Sequence, residues 1–159
     1  MGANDELLDN ARTYAARFHD RGLPTAPARH LAVLCCMDSR IDLFAVLGLR
    51  VGESHVIRNA GGLATDDAIR SLSLSQHLLG TREVMVIQHT RCGLASTSDE
   101  EFLARLPEPP PWSPGAFTDV ETSVRETVAA LRATPFLPHR DAIRGFVFDV
   151  DAGELREVS

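Results

Sequence analysis

Short apolar runs alternate along this chain with segments whose apolar residues recur at helical spacing. The two strongest runs are LAVLCC (31–36) and REVMVIQ (82–88), and SHVIRN (54–59) lies between them. Runs that are apolar at nearly every position are typical of strands buried on both faces of a parallel sheet. We therefore predict three strands, the second of them closed by Gly61 and Gly62.

Helices are predicted before and between these strands. Residues 5–19 carry apolar side chains at helical spacing, and a short helix is predicted over residues 41–47. Thr65, followed by two aspartates, is a good N-cap. The helix that it opens is predicted to run to Leu79, with Gly80 as its stop.

The C-terminal third contains a loop, a helix and a hairpin. Residues 106–117 include PEPPPWSP and are predicted to form a proline-rich loop, because proline lacks the N–H and fixes φ. Thr118 and Glu121 then form a Thr-x-x-Glu capping box for a helix. This helix presents an apolar stripe to the core: Val120, Val124, Val128 and Leu131. GFVFDV (145–150) and LREV (155–158) are predicted to pair as a hairpin.

Two strand–helix–strand units in succession predict the fold class. We expect an α/β fold with a mostly parallel central β-sheet flanked by helices, and with a C-terminal hairpin or edge strand. The length suits a single domain over residues 1–159. Within it, residues 1–28 are predicted to form an N-terminal helical arm and linker.

The charge balance narrows the range of partners. The 16 basic and 22 acidic residues give a net charge of −6, which argues against binding nucleic acid through its phosphates. The apolar runs all fall short of the roughly 20 residues that cross a bilayer. The N-terminus, MGANDELLDN, is acidic where a signal peptide would be basic. We therefore expect a cytoplasmic protein with no nucleic-acid or membrane partner.

Candidate metal ligands follow two of the predicted strands. CMDSR (36–40) comes at the end of the first strand, and HTRCG (89–93) follows the third. If these strands are neighbours in the sheet, Cys36, His89 and Cys92 meet at one point, at the edge where ligands of such sheets bind. Two thiolates and one imidazole suit Zn²⁺, and three protein ligands leave the fourth position that catalytic sites keep open.

Asp38 and Arg40 lie beside these ligands in the sequence, and three roles are possible for them. They are two residues apart, on the same side of an extended segment, so Arg40 can hold the carboxylate in a bidentate pair. The pair would keep Asp38 off the metal and leave the fourth position to water. Alternatively, Asp38 is itself the fourth ligand, or the two form an ordinary surface ion pair. Cys35 points to the opposite face from its neighbour and is predicted to be a buried packing thiol.

Three motifs in this order and spacing resemble the β-class carbonic anhydrases: Cys36-x-Asp38-Ser39-Arg40, Arg58-Asn59-Ala60-Gly61 and His89-x-x-Cys92-Gly93. SHVIRNAGG (54–62) is similar to the short, minimal members from bacteria and archaea. The resemblance covers residues 30–104 and 119–158. It implies a zinc lyase, a carbonate dehydratase that reversibly hydrates CO2 to bicarbonate and a proton.

The resemblance also implies roles for individual residues. Zn²⁺ would be held by Cys36, His89 and Cys92, and Asp38 and Arg40 would form the catalytic pair. The substrate pocket would be lined by Asn59, Ala60, Gly61, Gly62 and Gly93. A homodimer or a dimer of dimers is implied, with the N-terminal helix lying across the partner subunit.

Some points stay open at this level. The same ligands would serve hydrolysis of carbonyl sulfide or carbon disulfide, and a catalytically silent zinc-binding regulatory protein is a third reading. His55 is the candidate proton shuttle, although a histidine in a buried strand is more often a packed core residue.

Arg91 departs from the pattern of the family, since minimal members more often carry an acidic residue at this position. Because two thiolates leave zinc less positive than three histidines would, activity is expected to rise toward alkaline pH.

Overall fold

A five-stranded sheet forms the centre of the protein in a computed structural model that describes residues 2–159. Its strands, numbered β1 to β5 along the chain, are Leu31–Cys36, Ser54–Asn59, Glu83–His89, Ile143–Phe148 and Leu155–Glu157. Their spatial order is β2-β1-β3-β4-β5. The first four strands are parallel, and β5 pairs antiparallel with β4. The predicted α/β class, with its mostly parallel sheet and C-terminal hairpin, is confirmed.

Within residues 2–159, five α-helices accompany the sheet. Numbered α1 to α5 along the chain, they are Ala3–Ala15, Leu43–Leu47, Asp66–Leu79, Asp99–Leu103 and Val120–Ala133. The predicted boundaries of α3 are confirmed: the Thr65 side chain accepts a hydrogen bond from the Ala68 N–H, and Gly80 ends the helix at φ 72°. This left-handed φ is the conformation in which glycine avoids the strain of a side chain.

Helix α1 begins two residues before the predicted range 5–19 and ends four residues before the end of that range, and α2 begins two residues after the start of the predicted range 41–47. The starts of α5 and α4 also differ from the predictions. The N-cap of α5 is Asp119, whose Oδ1 accepts from the Thr122 N–H at 2.8 Å and from its hydroxyl at 2.6 Å. The predicted capping box of Thr118 and Glu121 was therefore wrong, because a carboxylate one residue later satisfies the free N–H groups and Glu121 instead pairs with arginines. Helix α4 was not predicted, although its Ser98–Glu101 capping box is visible in the sequence.

The core lies on both faces of the sheet. On one face, Ala32 and Leu34 of β1 pack with apolar residues of α3 and α5, including Leu72 and Val128. On the other face, Val33 packs in a second cluster with residues from α2 and β4. Burial on both faces explains why β1 is an unbroken apolar run.

The order of the strands positions the candidate ligands. Because β1 and β3 are adjacent and parallel, their carboxyl ends lie side by side. Cys36 is the last residue of β1, and His89 is the last residue of β3. Within residues 2–159, the helices are all too short or too polar to cross a bilayer.

Candidate metal centre

The sheet brings three candidate ligands together although Cys36 and His89 are 53 positions apart. The donor atoms of Cys36, His89 and Cys92 all lie within 4.8 Å of one another. His89 Nε2 is 3.2 Å from the Cys36 sulfur. All three residues are buried, with exposures of 3%, 0% and 6% for Cys36, His89 and Cys92. Such a buried cluster of soft and borderline donors could hold a metal ion.

The backbone around the cluster fixes the orientation of the histidine. His89 Nδ1 lies 2.8 Å from the carbonyl oxygen of Thr90. Because a carbonyl oxygen only accepts, Nδ1 carries the hydrogen, and Nε2 faces the two sulfurs with its lone pair. This is the tautomer that a metal ligand needs. The residue that orients it is next to it in the chain, so the orientation is set locally.

Gly62 permits the close approach of its turn to the strand ends. It has φ 64°, and a Cβ there would lie 2.9 Å from both the Cys36 nitrogen and the Ile87 carbonyl oxygen. Both contacts are with backbone atoms, which could not move aside without disturbing β1 and β3. Gly62, one of the three glycines predicted to line the pocket, therefore lets its turn lie directly against the strand ends.

The thiols of Cys36 and Cys92 are hydrogen-bonded to each other, and this contact shifts the pKa of both. A hydrogen bond from Cys92 is the largest cause that lowers the pKa of Cys36 to about 4. The same contact with Cys36 raises the pKa of Cys92, since the pair shares one proton. By contrast, burial raises the pKa of Cys35 to about 11, as expected of a packing thiol. The donor set fits a divalent metal, whose charge would compensate the second thiolate.

Asp38 and Arg40 form the bidentate pair that was one of the predicted alternatives. The Arg40 Nε donates to Asp38 Oδ1 at 2.9 Å, and Nη2 donates to Oδ2 at 2.8 Å. The side-chain hydrogen bonds from Arg40 hold the pKa of Asp38 far below its usual range. Asp38 Oδ2 is 3.6 Å from His89 Nε2, so the carboxylate lies at the edge of the metal cluster but is turned toward Arg40.

Arg58 contributes a contact that the sequence did not suggest. Its guanidinium donates to three backbone carbonyl oxygens of the loop after β1: those of Cys36, Asp38 and Ile41, at 2.9, 2.7 and 3.2 Å. Arg58 lies on β2 opposite Cys35 in the register. The motif containing Arg58 was visible in the sequence, but its carbonyl partners depend on the path of the folded loop. Arg58 therefore holds the segment that carries Cys36 and Asp38.

The loop after β3 is held by the C-terminal hairpin. The Thr90 N–H donates to the Phe148 carbonyl at 3.0 Å, and the Thr90 hydroxyl accepts from the Val150 N–H at 3.1 Å. Arg91 has a left-handed φ of 52° and forms an ion pair with Asp151. The Arg91 carbonyl accepts a 3.0 Å hydrogen bond from Arg40. The hairpin thus supports the loop between two candidate ligands.

A cavity of about 470 Å³ opens over the cluster. Its polar side consists of Cys36, Asp38 and Cys92, and three of the predicted pocket residues, Ala60, Gly61 and Gly93, also line it. Asn59 does not line the cavity. Its side-chain amide braces the turn that follows β2, because Nδ2 donates to the Leu63 carbonyl and Oδ1 accepts from the Leu63 N–H.

Comparison with known proteins identifies the family. A family model described as "Carbonic anhydrase" matches residues 31–109. The β-carbonic anhydrase 1 of Mycobacterium tuberculosis is 42% identical over 163 residues, covering all of this chain and 99% of the relative. This chain belongs to the β-carbonic anhydrase family.

Solved structures support the same family assignment. The crystal structure of a carbonic anhydrase from Streptococcus mutans has 38% identity and a TM-score of 0.94, covering 100% of this chain and 99% of that one. The family also includes relatives of another name. A carbon disulfide hydrolase of Acidithiobacillus thiooxidans is 34% identical, over 80% of this chain and 76% of the relative. The β-carbonic anhydrase fold therefore accommodates more than one named activity.

His55 is not among the residues that the β-carbonic anhydrase fold brings to the cavity. It pairs with Ala32, near the start of β1 and far from Cys36 at its end. Its ring nitrogens lie 2.8 Å from the Ser75 hydroxyl and 3.2 Å from the Thr25 carbonyl. The structure thus places His55 in a polar network with Ser75 of α3 and the backbone of Thr25, and its shuttle role stays a prediction.

Proposed function

We propose that this protein catalyses the reversible hydration of CO2 to bicarbonate and a proton, with Zn²⁺ held by Cys36, His89 and Cys92. The observation that carries the proposal is the bidentate pairing of Asp38 with Arg40, which occupies both carboxylate oxygens. A cluster of three protein donors, with the nearest carboxylate held aside, suits a site whose fourth position takes water. When bound there, Zn²⁺ lowers the pKa of water and so supplies a nucleophile near neutral pH.

Asp38 acts as a hydrogen-bond acceptor in this scheme. Because Arg40 keeps its pKa far below the usual range, its carboxylate is ionised throughout the working pH range. An ionised carboxylate only accepts hydrogen bonds. Asp38 Oδ2 therefore orients water at the site and does not carry the released proton. Arg40 positions that carboxylate, and it is itself positioned by the Arg91 carbonyl.

A second activity at the same site is hydrolysis of carbon disulfide or carbonyl sulfide. Its support is the relative named carbon disulfide hydrolase, at 34% identity. The ligand set would be the same, so the substrates must be compared directly. A catalytically silent zinc-binding protein has weaker support, because a purely structural site has no use for the Asp38–Arg40 pair.

We also propose that the protein is a homodimer or a dimer of dimers. None of the residues of α1 is buried, and its Leu7, Leu8 and Tyr14 are 61%, 53% and 58% exposed. An apolar groove of about 480 Å³ lies between β2 and α3, and β2 is an edge strand. A second subunit would cover these surfaces. We place the protein in the cytoplasm because its three thiols are free.

Stopped-flow CO2 hydration with a pH indicator, from about pH 6.5 to 9, tests the proposed function. The protein is first assayed for zinc, and Cys36→Ala is the control. Fast hydration that rises with pH and is lost in the control supports the proposal. Zinc at one per chain without hydration at any pH would contradict it, and turnover of carbon disulfide by the same sample would then favour the second activity.

A further inference from the structure

The turn after β2, residues 60–62, lies directly against the candidate ligand Cys36. The backbone N–H of Gly61 hydrogen-bonds to the Cys36 sulfur. Gly61 and Gly62 both have a left-handed φ, and a Cβ on Gly62 would lie 2.9 Å from the Cys36 nitrogen. A small shift of this turn would therefore move an N–H group away from a sulfur that is a candidate metal ligand.

Two amide side chains hold this turn in place. The Asn59 amide bonds to both backbone groups of Leu63, at the far end of the turn. Gln88 of β3 holds it from the sheet: its Nε2 donates to the Gly62 carbonyl oxygen, in a long hydrogen bond of 3.5 Å, and to the Thr127 hydroxyl of α5 at 3.1 Å. Gln88 thus links the turn, the strand that carries a candidate ligand, and α5.

The chemistry of the contacts fixes the orientation of the Gln88 amide. A carbonyl oxygen only accepts hydrogen bonds, so the group that faces Gly62 must be the NH2 group. Across residues 2–159, no protein group bonds to Gln88 Oε1, although the side chain is fully buried. A buried amide oxygen without a protein partner costs stability, and an apolar side chain of similar volume would avoid that cost. The bond from the NH2 group to the turn therefore explains a glutamine at this position better than packing does.

Gln76 shows the arrangement of a buried glutamine whose role is structural. It is 4% exposed, and both ends of its amide are paired: Nε2 donates to the His139 carbonyl at 3.1 Å, and Oε1 accepts from the His139 N–H at 3.0 Å. Gln76 lies on α3 and fastens the segment after α5, away from the metal cluster. The two residues are a matched pair of buried amides, of which only Gln88 contacts the turn at the site.

We propose that Gln88 is a positioning residue that holds the turn after β2 through the Gly62 carbonyl. This hold keeps the Gly61 N–H bonded to the Cys36 sulfur and so steadies Cys36 as a metal ligand. Thr127 assists, because its hydroxyl accepts from the same amide group and orients it. The effect on the metal rests on the proposed function, whereas the hold on the turn does not. Without Gln88, the Gly62 carbonyl loses this bond and the turn moves toward water.

Hydrogen exchange of the Gly61 amide, followed by NMR on the protein as isolated, tests the hold on the turn. In Gln88→Met, exchange at Gly61 is expected to be about tenfold faster relative to the Val33 amide of β1, a ratio in which a general loss of stability cancels. Gln76→Met should leave this ratio unchanged. Thr127→Val should raise it less than Gln88→Met does, and Thr127→Ser, which keeps the hydroxyl, should restore it. A ratio within about twofold of the original in Gln88→Met would overturn the proposal.

The rate of zinc release to a chromogenic chelator tests the effect on the ligand. Release is expected to be about tenfold faster from Gln88→Met and unchanged from Gln76→Met, because groups that orient metal ligands typically change metal affinity by about 10–100-fold. Release within about twofold of the original in Gln88→Met would overturn the effect on Cys36 even if exchange is faster. If the original protein holds no zinc but exchange at Gly61 is faster in Gln88→Met, the proposed function fails and the hold on the turn stands.

Discussion

The two sides of the cavity are built in different ways. The polar side lies at the ends of adjacent parallel strands, where Cys36 and His89 are buried and fixed by the register of β1 and β3. The apolar side is formed by α4, which has five residues, and by a proline-rich loop whose Trp112 is 55% exposed. Side-chain hydrogen bonds of Asp99, and not a sheet, tie the helix to the loop.

This difference separates the part of the site that carries out the reaction from the part that selects the substrate. Strand ends in a packed core hold ligands at fixed distances, which a metal site requires. Loops can change without disturbing the sheet, and for that reason they are suited to deciding which molecule enters. We therefore expect substitutions on the polar side to abolish the reaction and substitutions on the apolar side to change only how well a substrate binds.

The largest effect is expected from Cys36→Ala, which removes one of the three candidate ligands. Zinc content should fall well below one per chain, and CO2 hydration should fall by about 10³-fold or more. Metal analysis and stopped-flow kinetics measure the two quantities. Cys35→Ala is a matched control one residue away. It should keep the metal and the activity, at a cost of about 1 kcal/mol in unfolding free energy for the small cavity left in the core.

Arg40→Ala should have the next largest effect. Asp38 would lose both side-chain hydrogen bonds that orient it, so hydration at neutral pH should fall about 100-fold. Zinc content should stay near one per chain, which distinguishes this variant from the loss of a ligand. Arg125→Ala removes an arginine from a surface ion pair with Glu121 and should change little. Equal losses of zinc and activity in Arg40→Ala would mean that the pair is needed to assemble the site.

The dependence of activity on pH is a further test of the polar side. Two thiolates neutralise the charge of a divalent ion, so water at the site should lose its proton at a higher pH than with three imidazoles. The depressed pKa of Asp38 puts its titration far below neutral pH, so its protonation does not shape the profile there. Activity should therefore rise about tenfold between pH 7 and 9. A rate that is already flat from pH 6 upward would contradict this expectation.

The polar side could be predicted from the sequence because it follows from short, local patterns. The bounds of β1 and β2 agree with the apolar runs, and β3 differs by one residue at each end. Once these strands are parallel neighbours, Cys36 and His89 must meet. Position along a strand also separates His55 from the site. At about 3.3 Å per residue, the four residues from His55 to Asn59 place it roughly 13 Å from the end of β2.

The apolar side could not be predicted in the same way. The position of Trp112 depends on a hydrogen bond between Asp99 and Ser113, which are 14 positions apart and belong to no periodic pattern. The Arg58 contacts could not be predicted either, because the guanidinium donates to carbonyl oxygens whose positions depend on how the loop folds. The sequence predicts the proline-rich loop over residues 106–117, and the Ser98–Glu101 capping box of α4 is visible in it, but neither feature reveals the contact between the loop and the helix.

Substitution of Arg91 is expected to have the smallest effect on stability and activity. Its left-handed φ costs a non-glycine residue about 1 kcal/mol, and its exposed ion pair with Asp151 returns about 0–1 kcal/mol. Arg91→Gly should therefore leave the free energy of unfolding within about 1 kcal/mol of the original. Arg40 bonds to the carbonyl oxygen of residue 91, which glycine retains, so hydration should stay within about twofold.

Asp151→Asn serves as the matched control, because it removes the charge of the partner and keeps the backbone of Arg91 unchanged. Denaturant unfolding and stopped-flow hydration measure both variants. A tenfold loss of activity in Arg91→Gly, with stability unchanged, would mean that the guanidinium of Arg91 acts on the site directly. The polar side would then depend on an exposed side chain as well as on the ends of the strands. The contrast between a polar side fixed by the sheet and an apolar side built from a loop and a short helix would no longer hold.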